Sequence, residues 1–336
     1  MTLPEGWTAT ALGEQDVADL TELLRRHEER GRGWASASPD SVLVQVSADP
    51  TRSNVAVRDA DRALRGWAST HDRAAGRMLL VVAVDRRLDD ELADRVADWL
   101  FGWADDDARR VGAERGLAEQ QIDSGAFADD DCQHRWLRGA GFHKVRTWWQ
   151  MSRRVAPEEA GPVECRPGVR IRQVDGEDDR MPDEDDLRTI HDVLEGAFAD
   201  HFNSHEETFD EFLSRLRKDP GHRWDHWWVA EITDGPVARP AGALVASVSH
   251  SPEGGPDGSY VDYIGVQAFA RGRGVAKALL RTVIADAAAR GRDRVGLEVD
   301  ADSPTGADGL YTSMGWQTSY MTESWHRTVP VAEDGG

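Results

Sequence analysis

The stretch that decides the fold is Arg271-Gly272-Arg273-Gly274-Val275-Ala276. A strand-like run from Tyr260 to Val266 precedes it, and the apolar spacing predicts an amphipathic helix from Val275 onward. The two glycines allow a tight turn with successive N–H groups facing outward, and a helix N-terminus adds partial positive charge. The stretch therefore predicts a binding site for a phosphate-bearing ligand.

Basic residues are concentrated around this turn. The segment from Arg271 to Arg294 has seven basic and two acidic residues, whereas the whole chain has a formal charge of −21. An arginine-rich solvated helix face is one explanation of that segment, and a polyphosphate ligand is the other. Together with the glycine turn, the local positive charge favours the polyphosphate ligand.

Two common nucleotide-binding patterns do not fit the turn. A Walker phosphate loop ends in Gly-Lys-Ser or Gly-Lys-Thr, and the sequence has neither here. A dinucleotide fingerprint requires a third glycine where Lys277 stands, and the short segment after Asp300 cannot complete a doubly wound sheet. Both classes are therefore excluded.

A third pattern does fit. Arg271, Gly274 and Ala276 occupy the fixed positions of Gln/Arg-x-x-Gly-x-Gly/Ala, and Leu310-Tyr311-x-x-x-Gly315-Trp316 follows about forty residues later. The order and spacing of the two motifs resemble the GNAT superfamily of acyl-CoA-dependent N-acetyltransferases, over about residues 168 to 328. The resemblance implies an α/β protein with a mixed α+β sheet and acetyl-CoA as acyl donor.

Similar motifs recur at the same place in the two halves of the chain. Gly141-Phe142 and the following aromatic strand lie 174 residues before Gly315-Trp316 and its strand. We predict two tandem GNAT-type domains, at 1–153 and 168–330, joined by a proline- and glycine-containing linker at 154–167. This arrangement resembles the tandem GNAT enzymes that include mycothiol synthase, and an internal pseudo-dimer of this kind implies a monomer.

The first half lacks the glycine turn. Aligning Val84 with Val266 puts the run Asp89 to Ala93 where Arg271 to Val275 lie, so carboxylates would face a pyrophosphate. The first half is therefore predicted to be a degenerate, structural copy, and the second half is predicted to be the catalytic domain.

The resemblance supplies catalytic candidates. Tyr311 matches the tyrosine that commonly protonates the coenzyme A thiolate in the superfamily, and a phenol is chemically suited to that transfer. Glu298 matches the base of the ribosomal-protein acetyltransferases, with one residue more before the tyrosine. Asp262, on the preceding strand, is the rival base and could act through water. Either carboxylate could instead be an ordinary strand residue.

The resemblance also implies cofactor contacts from the strand end and the turn. The Val266 N–H is the usual group that polarises the thioester carbonyl, and Ser303 stands where many family members have Asn. The implied cofactor-binding residues are Ile264, Gly265, Val266, Arg271, Gly272, Arg273, Gly274, Val275, Ala276 and Ser303. No metal is expected, because no His, Cys or Asp cluster has ligand spacing.

Composition limits the compartment and the partners. The chain has 336 residues, two cysteines and no apolar leader or long apolar run, which predicts a cytoplasmic protein. The net charge disfavours nucleic acid and membrane partners.

The expected acceptor is a small-molecule amine. By analogy with the fold, the segments Phe198 to His205 and Trp224 to Trp228 would wall its pocket, although packing explains such residues equally well. The leading hypothesis is acetyl transfer from acetyl-CoA to this amine. The alternatives are a mycothiol synthase-type acetylation of a cysteinyl-amine glycoside and a non-catalytic acyl-CoA-binding regulatory protein.

Overall fold

The structure is a computed structural model. It describes residues 2–73, 76–176, 180–199, 208–217, 222–251, 255–302 and 307–331. Each half of the sequence runs through the same order of elements, namely one strand, two helices, three strands, a helix, a strand, a helix and a strand. The prediction of an α/β protein with a mixed sheet and two halves of the same fold agrees with this order.

The first half contains six strands and four helices. In chain order they are β1 (Thr8–Thr10), α1 (Val17–Arg32), α2 (Pro39–Val46), β2 (Arg52–Arg58), β3 (Leu64–Asp72), β4 (Arg77–Val84), α3 (Asp90–Glu114), β5 (Glu119–Phe127), α4 (Asp131–Gly139) and β6 (His143–Arg154).

The second half repeats this order. Its elements are β7 (Val169–Gln173), α5 (Glu184–Phe198), α6 (Phe209–Arg217), β8 (His222–Ile232), β9 (Arg239–Ser249), β10 (Gly258–Val266), α7 (Val275–Ala289), β11 (Arg294–Asp300), α8 (Ala307–Ser313) and β12 (Gln317–Pro330).

The chain divides into two compact units that are not continuous in sequence. Unit 1 comprises Met1–Trp149, Asp300–Ser303 and Tyr320–Gly336, and unit 2 comprises Gln150–Val299 and Pro304–Ser319. The sequence-based boundaries at 1–153, 154–167 and 168–330 stay a prediction.

Unit 1 has the strand order β1-β2-β3-β4-β5-β12. The strand β4 runs parallel to β5, and β12 pairs antiparallel with β5 from Thr322↔Phe127 to Pro330↔Glu119. Its main core packs α3 and α4 against the sheet, and Leu100, Ile122 and Trp325 are among its buried side chains. A smaller cluster under α1 and α2 includes Leu20 and Trp67.

Unit 2 has the strand order β6-β11-β10-β9-β8-β7. The helices α5 and α6 cover one face, where Leu187, Phe212 and Trp227 are buried. The helix α7 covers the other face with the apolar stripe that its sequence predicts, and it is followed by Gly291 in the left-handed region.

Candidate active site

The turn before α7 adopts a conformation that favours glycine at two positions. Gly272 has φ 76° and Gly274 has φ 85°, and Gly274 is the N-cap residue of α7. No side chain caps this helix. The first bond of the helical pattern runs from Ala278 N to Gly274 O, which leaves the N–H groups of the first turn available to an anion.

The charged side chains at the turn differ in their availability. Arg273 is engaged with Asp234, whereas Arg271 is exposed and has no partner among the described residues. Arg166, which the sequence analysis did not select, donates from Nη1 to Gly272 O at 3.3 Å. A Cβ added at Gly274 would lie 3.0 Å from the Arg166 side chain. The linker therefore contributes one cation to the turn.

The strand β10 separates from β11 at its carboxyl end. Their parallel pairing covers Ser259↔Val295 to Val261↔Leu297, and β10 then continues to Val266 paired with β9 alone. A bulge in β10 falls between Val261 and Tyr263, at the start of this separation. The backbone edge of Ile264–Val266 that faces β11 is thus open for hydrogen bonding within the described part of the chain.

Gly265 is required by the close approach of α5. A Cβ at this position would lie 2.8 Å from Ala197 Cβ and 3.1 Å from a Leu194 methyl carbon. Contacts this short exclude a larger residue without displacement of the helix. The close packing of α5 therefore restrains the open strand end from one face of the sheet.

Tyr311 lies on α8 in a largely apolar setting. It is 8% exposed, and its ring packs edge-on against Trp316 with ring centroids 6.1 Å apart. Burial raises the pKa of the Tyr311 phenol, so the hydroxyl stays protonated through neutral pH. Among the residues that the structure describes, none accepts a hydrogen bond from this hydroxyl, which leaves the proton available for transfer.

The two candidate bases lie on the face of the sheet that α5 and α6 cover. Asp262 Oδ1 accepts a hydrogen bond from Ser247 Oγ at 3.1 Å. Ser247 lies two residues after Val245 on β9, so it shares a strand face with this core residue beneath α5 and α6. Glu298 is exposed and accepts a hydrogen bond from the Gln150 side chain. The sequence analysis missed Gln150, because it belongs to β6 at the end of the first half.

Several residues predicted to line the acceptor pocket have other surroundings. Trp227 and Trp228 are buried, and Trp227 belongs to the core between the sheet and the helices α5 and α6. His226 is also buried and bonds through Nδ1 to Asp225 Oδ1 at 2.6 Å. The segment from Asp200 to His205 and the predicted cofactor contact Ser303 lie outside the described residues.

A cavity of about 730 Å³ lies along α7, next to the turn. Lys277 and Arg281 line it from the helix, one helical turn apart. Arg153 lines it from β6 and is partly neutralised by Glu159 at 2.5 Å. The rest of the lining comes from the linker and the end of α8. Glu158, Glu159 and Glu164 of the linker also line the cavity, so its three cations are matched by three carboxylates.

The described part of the chain has neither a metal-binding cluster nor a membrane-spanning helix. Within it, no group of three or more His, Cys, Asp or Glu side chains could hold a metal ion. No helix that the structure describes is both long and apolar enough to span a membrane.

With this geometry established, comparison with known proteins identifies the domain. Residues 188–316 match the model of the acetyltransferase (GNAT) family. The chain contains a GNAT acetyltransferase domain. The GNAT domain includes the open strand end, the glycine turn and Tyr311, and the prediction of GNAT membership from the two motifs is confirmed.

Two solved structures share the fold over almost the whole chain. One is a GCN5-related N-acetyltransferase from Sphaerobacter thermophilus, with a TM-score of 0.79, 23% identity and 99% coverage of both chains. The other is a tandem GNAT protein from the clavulanic acid biosynthesis pathway, with a TM-score of 0.71, 13% identity and coverage of 97% of this chain and 100% of that one. At these identities the likeness establishes the tandem GNAT fold.

A curated relative matches a shorter stretch. A ribonuclease Y from Parafrankia sp. (strain EAN1pec) is 33% identical over 101 residues. The match covers 30% of this chain, and it spans 19% of the length of that protein.

Proposed function

We propose that this protein is an acetyl-CoA-dependent N-acetyltransferase that acts on the amine of a small molecule through the GNAT domain of its second half. The observation that carries the proposal is the uncapped N-terminus of α7, which follows two glycines at positive φ and an open strand edge. Backbone N–H groups and helix charge at this point suit a pyrophosphate. The strand edge from Ile264 to Val266 suits the peptide-like pantetheine arm.

The cation distribution supports coenzyme A as the carrier. Arg271 and Arg166 lie at the turn, and Lys277 and Arg281 line the adjoining cavity. We propose that the turn holds the pyrophosphate of this molecule. Within a chain of charge −21, this local cation cluster favours a polyanionic ligand.

The candidate residues have complementary roles in acetyl transfer. Glu298, or Asp262 through a water molecule, accepts the proton that the attacking amine loses as its nitrogen bonds to the thioester carbon. The Val266 N–H donates to the carbonyl oxygen as negative charge develops there. Tyr311 donates its proton to the thiolate sulfur as the carbon–sulfur bond breaks, and solvent then restores the phenol proton.

A broad amine panel tests the proposal. Purified full-length protein is mixed with acetyl-CoA and each amine, and the released thiol is measured by colour reagent and the acetylated amine by mass spectrometry. We expect turnover with a subset of primary amines. Tight acetyl-CoA binding without turnover on any amine would contradict the proposal and favour an acyl-CoA-binding regulatory protein. Preferred turnover of a cysteinyl-amine glycoside would place the enzyme with mycothiol synthases.

The proposal includes a cytoplasmic monomer without a nucleic acid or membrane partner. The two cysteines, Cys132 and Cys165, are free, which agrees with a reducing compartment. Light scattering of the purified chain tests the oligomeric state, with a mass near 37 kDa expected for a monomer.

A further inference from the structure

Gln150 connects two strands at the candidate site. It lies on β6, which neighbours β11 in unit 2, and it is 9% exposed. Its Nε2 donates to Glu298 Oε2 on β11, and its Oε1 accepts from the Tyr260 hydroxyl on β10 at 3.4 Å. A single amide therefore links a phenol to Glu298, one of the two carboxylates proposed as base.

The two bonds fix the orientation of the amide. A phenol donates to the amide oxygen, so the amide NH₂ group is directed to the carboxylate. A hydrogen bond to an ionised carboxylate favours the ionised form, which is the form that can accept a proton. The amide also restricts the side-chain rotation of Glu298, which is otherwise exposed.

The carboxylates near Glu298 act in the opposite direction, and one of them, Asp300, is itself paired with Arg146 at 4.0 Å. Asp262 follows Val261 on β10, whose register partner Leu297 precedes Glu298 on β11. Asp300 lies two residues further along β11, on the same face of the strand. Like charges on neighbouring positions favour the protonated form of a carboxylate. The Tyr260 phenol is neutral and reaches Glu298 through Gln150.

We infer that Gln150 is a positioning residue for acetyl transfer, which holds Glu298 in the ionised state and in one orientation through a Tyr260–Gln150–Glu298 hydrogen-bond chain. The inference rests on the proposed function, and it gives the end of the first half a part in the site of the second. It assigns no contact between Gln150 and substrate.

The experiment compares pH–rate profiles of the full-length protein. In Gln150→Leu the ascending limb of kcat moves to higher pH by about one unit, as expected for the loss of one hydrogen bond to a charged group. Gln150→Glu keeps the side-chain volume, removes the donor and shifts the limb in the same direction. Tyr260→Phe shifts it less, because the donor to Glu298 is retained. The KM for acetyl-CoA stays within about twofold.

A matched control separates this role from packing. Gln133 is a buried glutamine in unit 1, 7% exposed, whose Oε1 accepts from Phe127 N at 3.0 Å. Gln133→Leu makes the same chemical change and should lower Tm without moving the pH limb. If Gln150→Leu likewise lowers Tm and reduces kcat equally at every pH, Gln150 is merely structural and the inference is wrong.

A direct titration makes the test independent of turnover. The carboxyl carbon of Glu298, labelled with ¹³C and assigned by its loss in Glu298→Gln, is followed by NMR against pH. We expect a higher midpoint in Gln150→Leu than in the wild type. An unchanged midpoint overturns the inference even in an active enzyme. A raised midpoint in a protein that acetylates no amine upholds the hydrogen-bond chain and overturns the proposed function.

Discussion

The N-termini of α3 and α7 follow equivalent strands, and they have opposite chemistry. In the first half, Asp89 caps α3 by accepting a hydrogen bond from Leu92 N at 2.9 Å. In the second half, Gly274 occupies the cap position of α7 and offers no side chain. One helix satisfies its own N–H groups with a carboxylate, and the other leaves them for an anion from solution.

The side chains next to the N-terminus of α3 also satisfy their charges within the protein. Beyond Val84 in unit 1, Arg86, whose side chain is 11% exposed, pairs with Asp130 and stacks on the Trp136 ring at 4.9 Å. Burial is the main cause that lowers the pKa of this guanidinium. A built-in ion pair thus occupies the end of the first half's parallel strands. We therefore expect no coenzyme A site at this end of the first half.

The largest effect is expected from making the second cap like the first. Gly274→Asp places a residue with a side chain at φ 85°, brings its Cβ against Arg166 and adds a carboxylate at the N-terminus of α7. We expect acetyl-CoA affinity to fall at least about 100-fold, measured by calorimetry. Gly291→Asp, at φ 70° beyond the other end of α7, is the matched control. It should lower Tm through backbone strain and leave the acetyl-CoA affinity unchanged. An equal loss of acetyl-CoA affinity in both variants would show that the cap position of α7 has no specific role in binding.

The next effect concerns chemistry rather than binding. Tyr311→Phe removes the buried hydroxyl and should lower kcat by about 10- to 10,000-fold at constant acetyl-CoA affinity, as for loss of a general acid. Tyr320→Phe, in unit 1, is the control, because the Tyr320 hydroxyl only accepts from Arg32 at 3.0 Å. Steady-state kinetics and calorimetry decide the matter. Retained kcat in Tyr311→Phe would return this tyrosine to a packing role.

A smaller effect is expected at the linker. Arg166→Ala removes a cation that bonds to Gly272 O, and we expect acetyl-CoA affinity to fall about three- to tenfold at low salt and less at high salt. Arg273→Ala is the comparison, since Arg273 is engaged with Asp234. It should weaken binding less than Arg166→Ala does. The reverse order would show that the ligand recruits Arg273 away from its carboxylate.

The smallest effect sharpens the description of the first half. Asp89→Ala removes the cap of α3 and should lower the free energy of unfolding by about 1 kcal/mol, measured by urea denaturation. Acetyl-CoA affinity should remain unchanged. A change of affinity would mean that the first half takes part in binding.

Local sequence patterns predicted the parts of the site that are local in sequence. The strand end at Val266, the glycines of the turn, the helix that begins at Val275 and the stop signal at Gly291 are encoded by residue type and apolar spacing, and all are present in the structure. The alignment of the two halves was three residues wrong at the turn. The connection before α3 is shorter than that before α7, so the structural equivalent of Gly274 is Asp89 and not Leu92.

Side-chain partners from distant segments were not predictable in this way. Gln150 meets a residue 148 positions away, Arg166 meets the turn over 106 positions, and Arg273 finds its carboxylate over 39. Tertiary packing brings these groups together, and such long-range contacts cannot be predicted from the periodicity of the sequence. The roles of Tyr311, Glu298 and Asp262 in catalysis stay predictions until their variants are measured.

The stoichiometry of acetyl-CoA binding tests the central claim most directly. Calorimetric titration of the full-length protein should give one site per chain, because α3 is capped by Asp89 whereas the equivalent helix α7 has no side-chain cap, and Gly274→Asp should abolish that site. Two sites per chain, or one site that survives in Gly274→Asp, would contradict the account.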